Sequence, residues 1–119
     1  MNKELIEKST KELAKQAKLL YGDKLKNVIL YGSCARGDFD DESDIDVMVL
    51  LDSPIDEIGA EREKLFSIIN QIDREFDYEI VMSPVVQSYD VYTKYKTALP
   101  FYQNIEREGV VYAWNKKRE

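Results

Sequence analysis

The chain has 119 residues, 44% hydrophobic and 34% charged with only 5 glycines and 3 prolines, which describes one folded domain rather than a disordered or low-complexity segment. A net charge of −6 leaves no broad basic footprint for duplex nucleic acid, although a bound cation can still reverse the local charge for an anionic nucleotide. There is no histidine and only one cysteine, Cys34, which removes histidine triads, histidine zinc sites and intrachain disulfides together.

Residues 2–21 predict an amphipathic helix, with Leu5, Ile6, Leu13, Ala17 and Leu20 at near-helical spacing and Gly22 placed for a left-handed C-terminal cap. The opening Met-Asn-Lys-Glu is too polar for a signal peptide and no apolar run reaches ~18 residues, so a cytoplasmic chain that does not enter membranes is expected. Residues 27–31 (NVILY) predict a buried strand, followed at once by Gly32-Ser33 and a short helix. Residues 38–43 are polar and acidic and read as a loop. From 44 to 51 (DIDVMVLL), Ile45, Val47, Val49 and Leu51 share one strand face, while Asp44, Asp46, Met48 and Leu50 share the other.

Pro54 suits a helix start, and a second amphipathic helix is expected over 56–76, buried through Ile58, Leu65, Ile68, Ile69, Ile72 and Phe76. A third strand is placed at 77–82 (DYEIVM), stopped by Ser83-Pro84. Ser88 caps a short helix ending near Ala98, Pro100 opens another that Gly109 closes, and 110–114 forms a last strand. Lys116, Lys117 and Arg118 read as a frayed basic tip, and Trp114 as a core or interface anchor. The order implies an α/β (α+β) domain, a small mixed sheet covered by helices.

The chemistry-bearing segment runs from Gly32 to Asp46. Glycine allows a tight turn, and amides freed at a helix start can meet phosphate oxygens, with the Ser33 hydroxyl as one more donor. Asp44 and Asp46, two apart on a strand, point to one side with Cα atoms ~6.5–7 Å apart. Such a pair can converge on Mg²⁺, which takes hard oxygen ligands. Two simpler motifs fail. A phosphate-binding P-loop needs Lys-Ser/Thr after Gly37 but finds Asp38-Phe39; an EF-hand from Asp38 finds Ser43 and Val49 where Gly and Glu belong. A plain glycine turn with a solvated acidic loop does not account for two aspartates opening an apolar strand while Gly-Ser closes another. Cys34 is expected near a helix N-terminus, a position that lowers a thiol pKa, but it has no base partner for catalysis. Tyr89, Tyr92, Tyr95 and Tyr102 read mainly as packing residues, with a nucleobase-stacking role for one or two left open.

The pattern Gly32-Ser33, ten residues, Asp44-Ile45-Asp46 resembles the signature of the minimal nucleotidyltransferase (MNT) branch of the DNA polymerase β-like superfamily, and Ala35-Arg36-Gly37 and Ser43 match its preferred fillings. The resemblance implies a polymerase β-like fold with the Gly-Ser turn facing the aspartates. It implies Mg²⁺ on Asp44 and Asp46, NTP phosphates at Gly32 and Ser33, and Arg36 either aiding the phosphates or anchoring its loop. It also implies a third carboxylate on a later strand, as metal ligand or acceptor of the hydroxyl proton; Glu79 is preferred, with Asp77 as the alternative. The reaction implied is transfer of a nucleoside monophosphate, AMP from ATP or another NTP, to a hydroxyl. Small members resembling this chain pair with a HEPN-domain toxin, whose tyrosine receives the AMP, in toxin–antitoxin modules; the chain carries no appended acceptor domain, so a partner is expected to complete the site. AMP transfer to a small molecule such as an aminoglycoside and a non-catalytic antitoxin that acts by contact alone are the alternatives.

Overall fold

The computed structural model describes residues 1–114, for Trp114 the backbone alone, so the basic tip and the proposed Trp114 anchor lie outside the described residues. Helix α1 (Lys3–Tyr21) is capped by Asn2, whose Oδ1 accepts the Leu5 amide at 2.8 Å. Its buried stripe is Ile6, Leu13, Ala14, Ala17 and Tyr21; Leu20, expected inside, is exposed because Tyr21 takes the next inward position. Ser9 and Thr10 also lie on the buried side, and each returns its hydroxyl to the Ile6 carbonyl, so no polar atom is left unpaired. Gly22 ends the helix at φ 57.

Strand β1 (Leu25–Tyr31), the four-residue helix α2 (Ser33–Arg36) and β2 (Ile45–Leu51) follow, then α3 (Ile58–Glu75) after a 3₁₀ turn at 55–57. Strand β3 (Met82–Ser88), helices α4 (Tyr89–Tyr95) and α5 (Pro100–Glu108), and β4 (Val110–Trp114) complete the order. The sheet runs β3-β2-β1-β4, with β2 parallel to β3 and the other pairs antiparallel.

The third strand departs from the expectation. It begins at Met82, and residues 77–79 form a turn that unwinds α3, with Asp77 and Tyr78 at φ 54 and 58 and the Tyr78 amide bonded to the Asp73 carbonyl at 2.8 Å. Pro84 does not stop the strand but sits inside it. Proline forfeits a ladder donor, and β3 is an edge strand, where the missing donor costs little.

Alternation along β2 sorts the two faces as expected. Ile45, Val47, Val49 and Leu51 pack with α1 and α3; Met48 and Leu50 join Ile29, Tyr92, Tyr102 and Ile105 beneath α4 and α5. Each fully buried aliphatic of this kind contributes roughly 1.5–3 kcal/mol. Asp46 shares the α4/α5 side with Met48. No helix among the described residues is long and apolar enough to cross a membrane.

Candidate active site

Strand β1 ends at Tyr31, and Gly32 turns the chain at φ 75, ψ −157. Two constraints demand glycine there. The positive φ disfavours any side chain, and a Cβ would lie 2.7 Å from Asp46 Oδ2. The turn backbone and the Asp46 carboxylate are therefore in direct apposition. The Gly32 carbonyl accepts from the amides of Ala35 and Arg36 at 3.1 and 3.0 Å, while Gly37, at φ 91, closes α2 with its amide on Ser33 O at 2.9 Å. A first helical turn leaves its leading amides without intrahelical partners, and here that turn begins at Ser33.

The register of β1 and β2 pairs Tyr31 with Asp46. Burial first and the Asp44 charge second raise the Asp46 carboxyl above its ordinary pKa, against a smaller lowering by Arg36. Asp44 itself is exposed. Tyr31 is pushed up to about 12, by burial and then by Asp46. The acidic loop holds itself in place: Asp40 Oδ1 accepts the Glu42 amide at 2.8 Å and the Ser43 hydroxyl accepts the Asp40 amide at 3.0 Å.

Arg36 bonds Asp38 at 3.2 Å and Glu108 at 3.0 Å, tying the loop after Gly32 to the end of α5. Of its two expected roles, this geometry displays the anchor. Cys34 corrects an expectation: it is buried, its thiol donates to the Asp44 carbonyl at 3.5 Å, and burial, then Asp46, raise its pKa rather than lower it. The thiol fastens α2 to the start of β2.

Glu79 is the second correction. Both it and Asp77 are exposed in the turn ahead of β3, with the Glu79 amide bonded to Phe76 O at 3.0 Å. The β3 residue opposite Asp46 is Ser83. Among the described residues no group of three acidic, cysteine or histidine side chains is placed to hold one metal ion. The structure thus sets Gly32 against Asp46, with Ser33 next in the turn and Asp44 and Arg36 within electrostatic reach of that carboxylate, and among the described residues it adds neither Glu79 nor Asp77 to a metal-holding group. Ser83 takes that place because the strand begins at Met82, five residues later than expected.

Comparison with known proteins closes the matter of family. The nucleotidyltransferase domain model matches residues 10–112. The chain belongs to the nucleotidyltransferase domain family. This nucleotidyltransferase is 33% identical over 105 residues, 88% of the chain and 95% of the relative, to MJ0604 of Methanocaldococcus jannaschii. It is 35% identical over 102 residues, 84% of the chain and 91% of the relative, to MJ0141 of the same organism. Both are provisionally named protein adenylyltransferases. Two solved structures share its fold: a toxin–antitoxin with AMP-PNP (TM-score 0.53, 15% identity, 91% of this chain and 76% of that one) and a mutant toxin–antitoxin MntA-HpeT (TM-score 0.51, 16% identity, 99% and 77%).

The nucleotidyltransferase's two carboxylates suit a divalent ion on their own chemistry. They are hard oxygen donors, and a nearby cation would offset both the burial and the Asp44 charge that raise the Asp46 pKa. Among the described residues these two carboxylates would be the donors offered, a number Mg²⁺ accepts when phosphate oxygens supply more.

Proposed function

We propose that this nucleotidyltransferase moves AMP from ATP to a hydroxyl of a partner protein, a tyrosine of a HEPN-type toxin, and so serves as the antitoxin of that pair in the cytoplasm. The observation that supports the reading is the apposition of Gly32 to Asp46 Oδ2, which sets the glycine turn that opens α2 beside a carboxylate. The provisional names of the curated relatives and the titles of the fold neighbours support protein adenylylation and a toxin partner.

In this reading the amides of the turn and the Ser33 hydroxyl hold the triphosphate, and Arg36, through Asp38 and Glu108, holds the turn in place. Asp44 and Asp46 would hold Mg²⁺, whose chemistry when bound is to neutralise charge on the phosphate oxygens. The acceptor hydroxyl gives its proton to solvent as its oxygen attacks the α-phosphorus, the bond from that phosphorus to the bridging oxygen breaks, and pyrophosphate leaves in line. The chain's work is positioning, which asks for no histidine.

Incubation with ATP labelled at the α- or the γ-phosphate, Mg²⁺ and the toxin partner tests this. Label on the partner from the α-position alone is expected. No label on a folded partner overturns protein adenylylation. One observation favours a second reading, neutralisation by contact: no third carboxylate joins the pair among the described residues. Under that reading, Asp44→Asn with Asp46→Asn leaves partner neutralisation intact; under ours it is lost.

A further inference from the structure

Asp46 has an aromatic neighbour on its β1 side. Tyr31 is its cross-strand partner, and the two share the α4/α5 face of the sheet. On Tyr31 rests Phe101, from the first turn of α5, edge to face with ring centroids 5.6 Å apart and planes at 79°. Phe101 also touches Tyr102 at 5.8 Å, and Tyr102 is buried against Tyr92 at 4.8 Å. Phe101 is therefore held by two ordered rings, yet 46% of it remains exposed. A half-exposed phenylalanine is ordinary in itself; this one is set apart by its place, on the tyrosine that pairs with Asp46.

The chain order says what the ring can meet. Tyr31, which carries Phe101, immediately precedes Gly32, where the phosphate-binding turn begins. The Phe101 ring thus lies one side chain away from the turn, against Tyr31 on the sheet face that carries Asp46.

We propose that the Phe101 ring, braced by Tyr31, is the surface on which the nucleobase of the NTP stacks. The inference rests on the nucleotidyltransferase reading and adds the base-binding group to it. Stacking on an aromatic ring depends on a π-face and is tolerant of base identity. The site therefore contributes affinity for a nucleoside triphosphate over a bare polyphosphate, with little choice among bases. The α5 anchor through Arg36 and Glu108 fixes the distance between ring and phosphate turn.

The test compares binding of ATP and of inorganic tripolyphosphate, each with Mg²⁺, to the full chain by calorimetry. The wild type is expected to prefer ATP. Phe101→Ala is expected to weaken ATP about 10-fold, in the range set by base–aromatic stacking, and to leave tripolyphosphate unchanged. Phe101→Leu keeps the apolar bulk and is expected to behave like alanine, whereas Phe101→Trp restores the preference. In the transfer assay the loss appears in KM for ATP, with kcat and KM for the acceptor unchanged. Retention of the ATP preference in Phe101→Ala and Phe101→Leu overturns the proposal and leaves the nucleotidyltransferase reading standing. A rise in the acceptor KM alone also overturns it and assigns the ring to the acceptor. A folded wild type that binds neither ligand overturns both.

Discussion

At the scale of single residues, the site rests on a conflict between function and stability. Asp46 carries a carboxylate that burial and Asp44 make unwilling to ionise. A raised folded pKa means the native state binds the proton more tightly than the unfolded chain. Stability therefore falls as pH rises from the ordinary carboxylate range through the raised value. Asp46→Asn is expected to raise the thermal midpoint of the metal-free protein at pH 7, by well under about 1 kcal/mol because the group is partly solvated, while abolishing transfer. Thermal melts in chelator beside the rate assay check both halves. Gly32→Ala works in the other direction. The positive φ costs about 1–2 kcal/mol, and the new methyl displaces Asp46 Oδ2 from 2.7 Å. A loss of more than about 100-fold in transfer rate is expected, with a lower urea midpoint. The aspartate pair and the glycine were legible in the sequence because their spacing is a geometric demand. The place of Glu79 was not, since a strand start read five residues early moves every side chain against its neighbours.

At the scale of elements, helices α1, α3 and α5 could be read from periodicity and caps, and β1 and β2 from alternating or continuous apolar runs. Strand β3 could not, because Pro84 signals a stop unless the strand is known to be an edge, and edge position is a property of the assembled sheet. A second blind spot is Glu61 on α3, buried at 4% exposure. It stands three residues after Ile58 and four before Leu65, squarely on the apolar stripe, a signal that its charge conceals. Lys64 at 2.7 Å and Lys24 at 3.3 Å satisfy it, Ser53 bonds it, and the Lys64 hydrogen bond first of all holds its pKa below the ordinary value despite burial. The linkage sign is opposite to that of Asp46. The stabilisation is full above the ordinary carboxylate range and is lost as pH falls through the lowered pKa. Glu61→Ala is expected to cost about 1.5–3 kcal/mol at pH 7, the range for hydrogen bonds to a charged group, and to lose less near pH 3. Urea titrations at the two pH values measure it.

At the scale of the whole molecule, the sheet separates two duties. One face, under α1 and α3, carries the larger apolar cluster; the other carries Asp46, Tyr31 and the aromatic group of α4 and α5. Substitutions on the first face should change how much protein is folded without changing what the folded protein does. Leu13→Ala, at a position with no exposed surface, is expected to cost about 2–5 kcal/mol and to leave KM for ATP unaltered, as kinetics on the folded fraction would reveal. The layer order was legible from alternating β and α patterns, while the sheet order β3-β2-β1-β4 required the assembled structure. The account turns on whether Asp44 and Asp46, held against the Gly32 turn, drive transfer of AMP to a protein. Intact-mass measurement of the toxin partner after incubation with this protein, ATP and Mg²⁺ tests that directly. The account predicts a gain of AMP units that disappears with Asp44→Asn and with Asp46→Asn; an unchanged mass with folded components, or a gain that survives both substitutions, contradicts it.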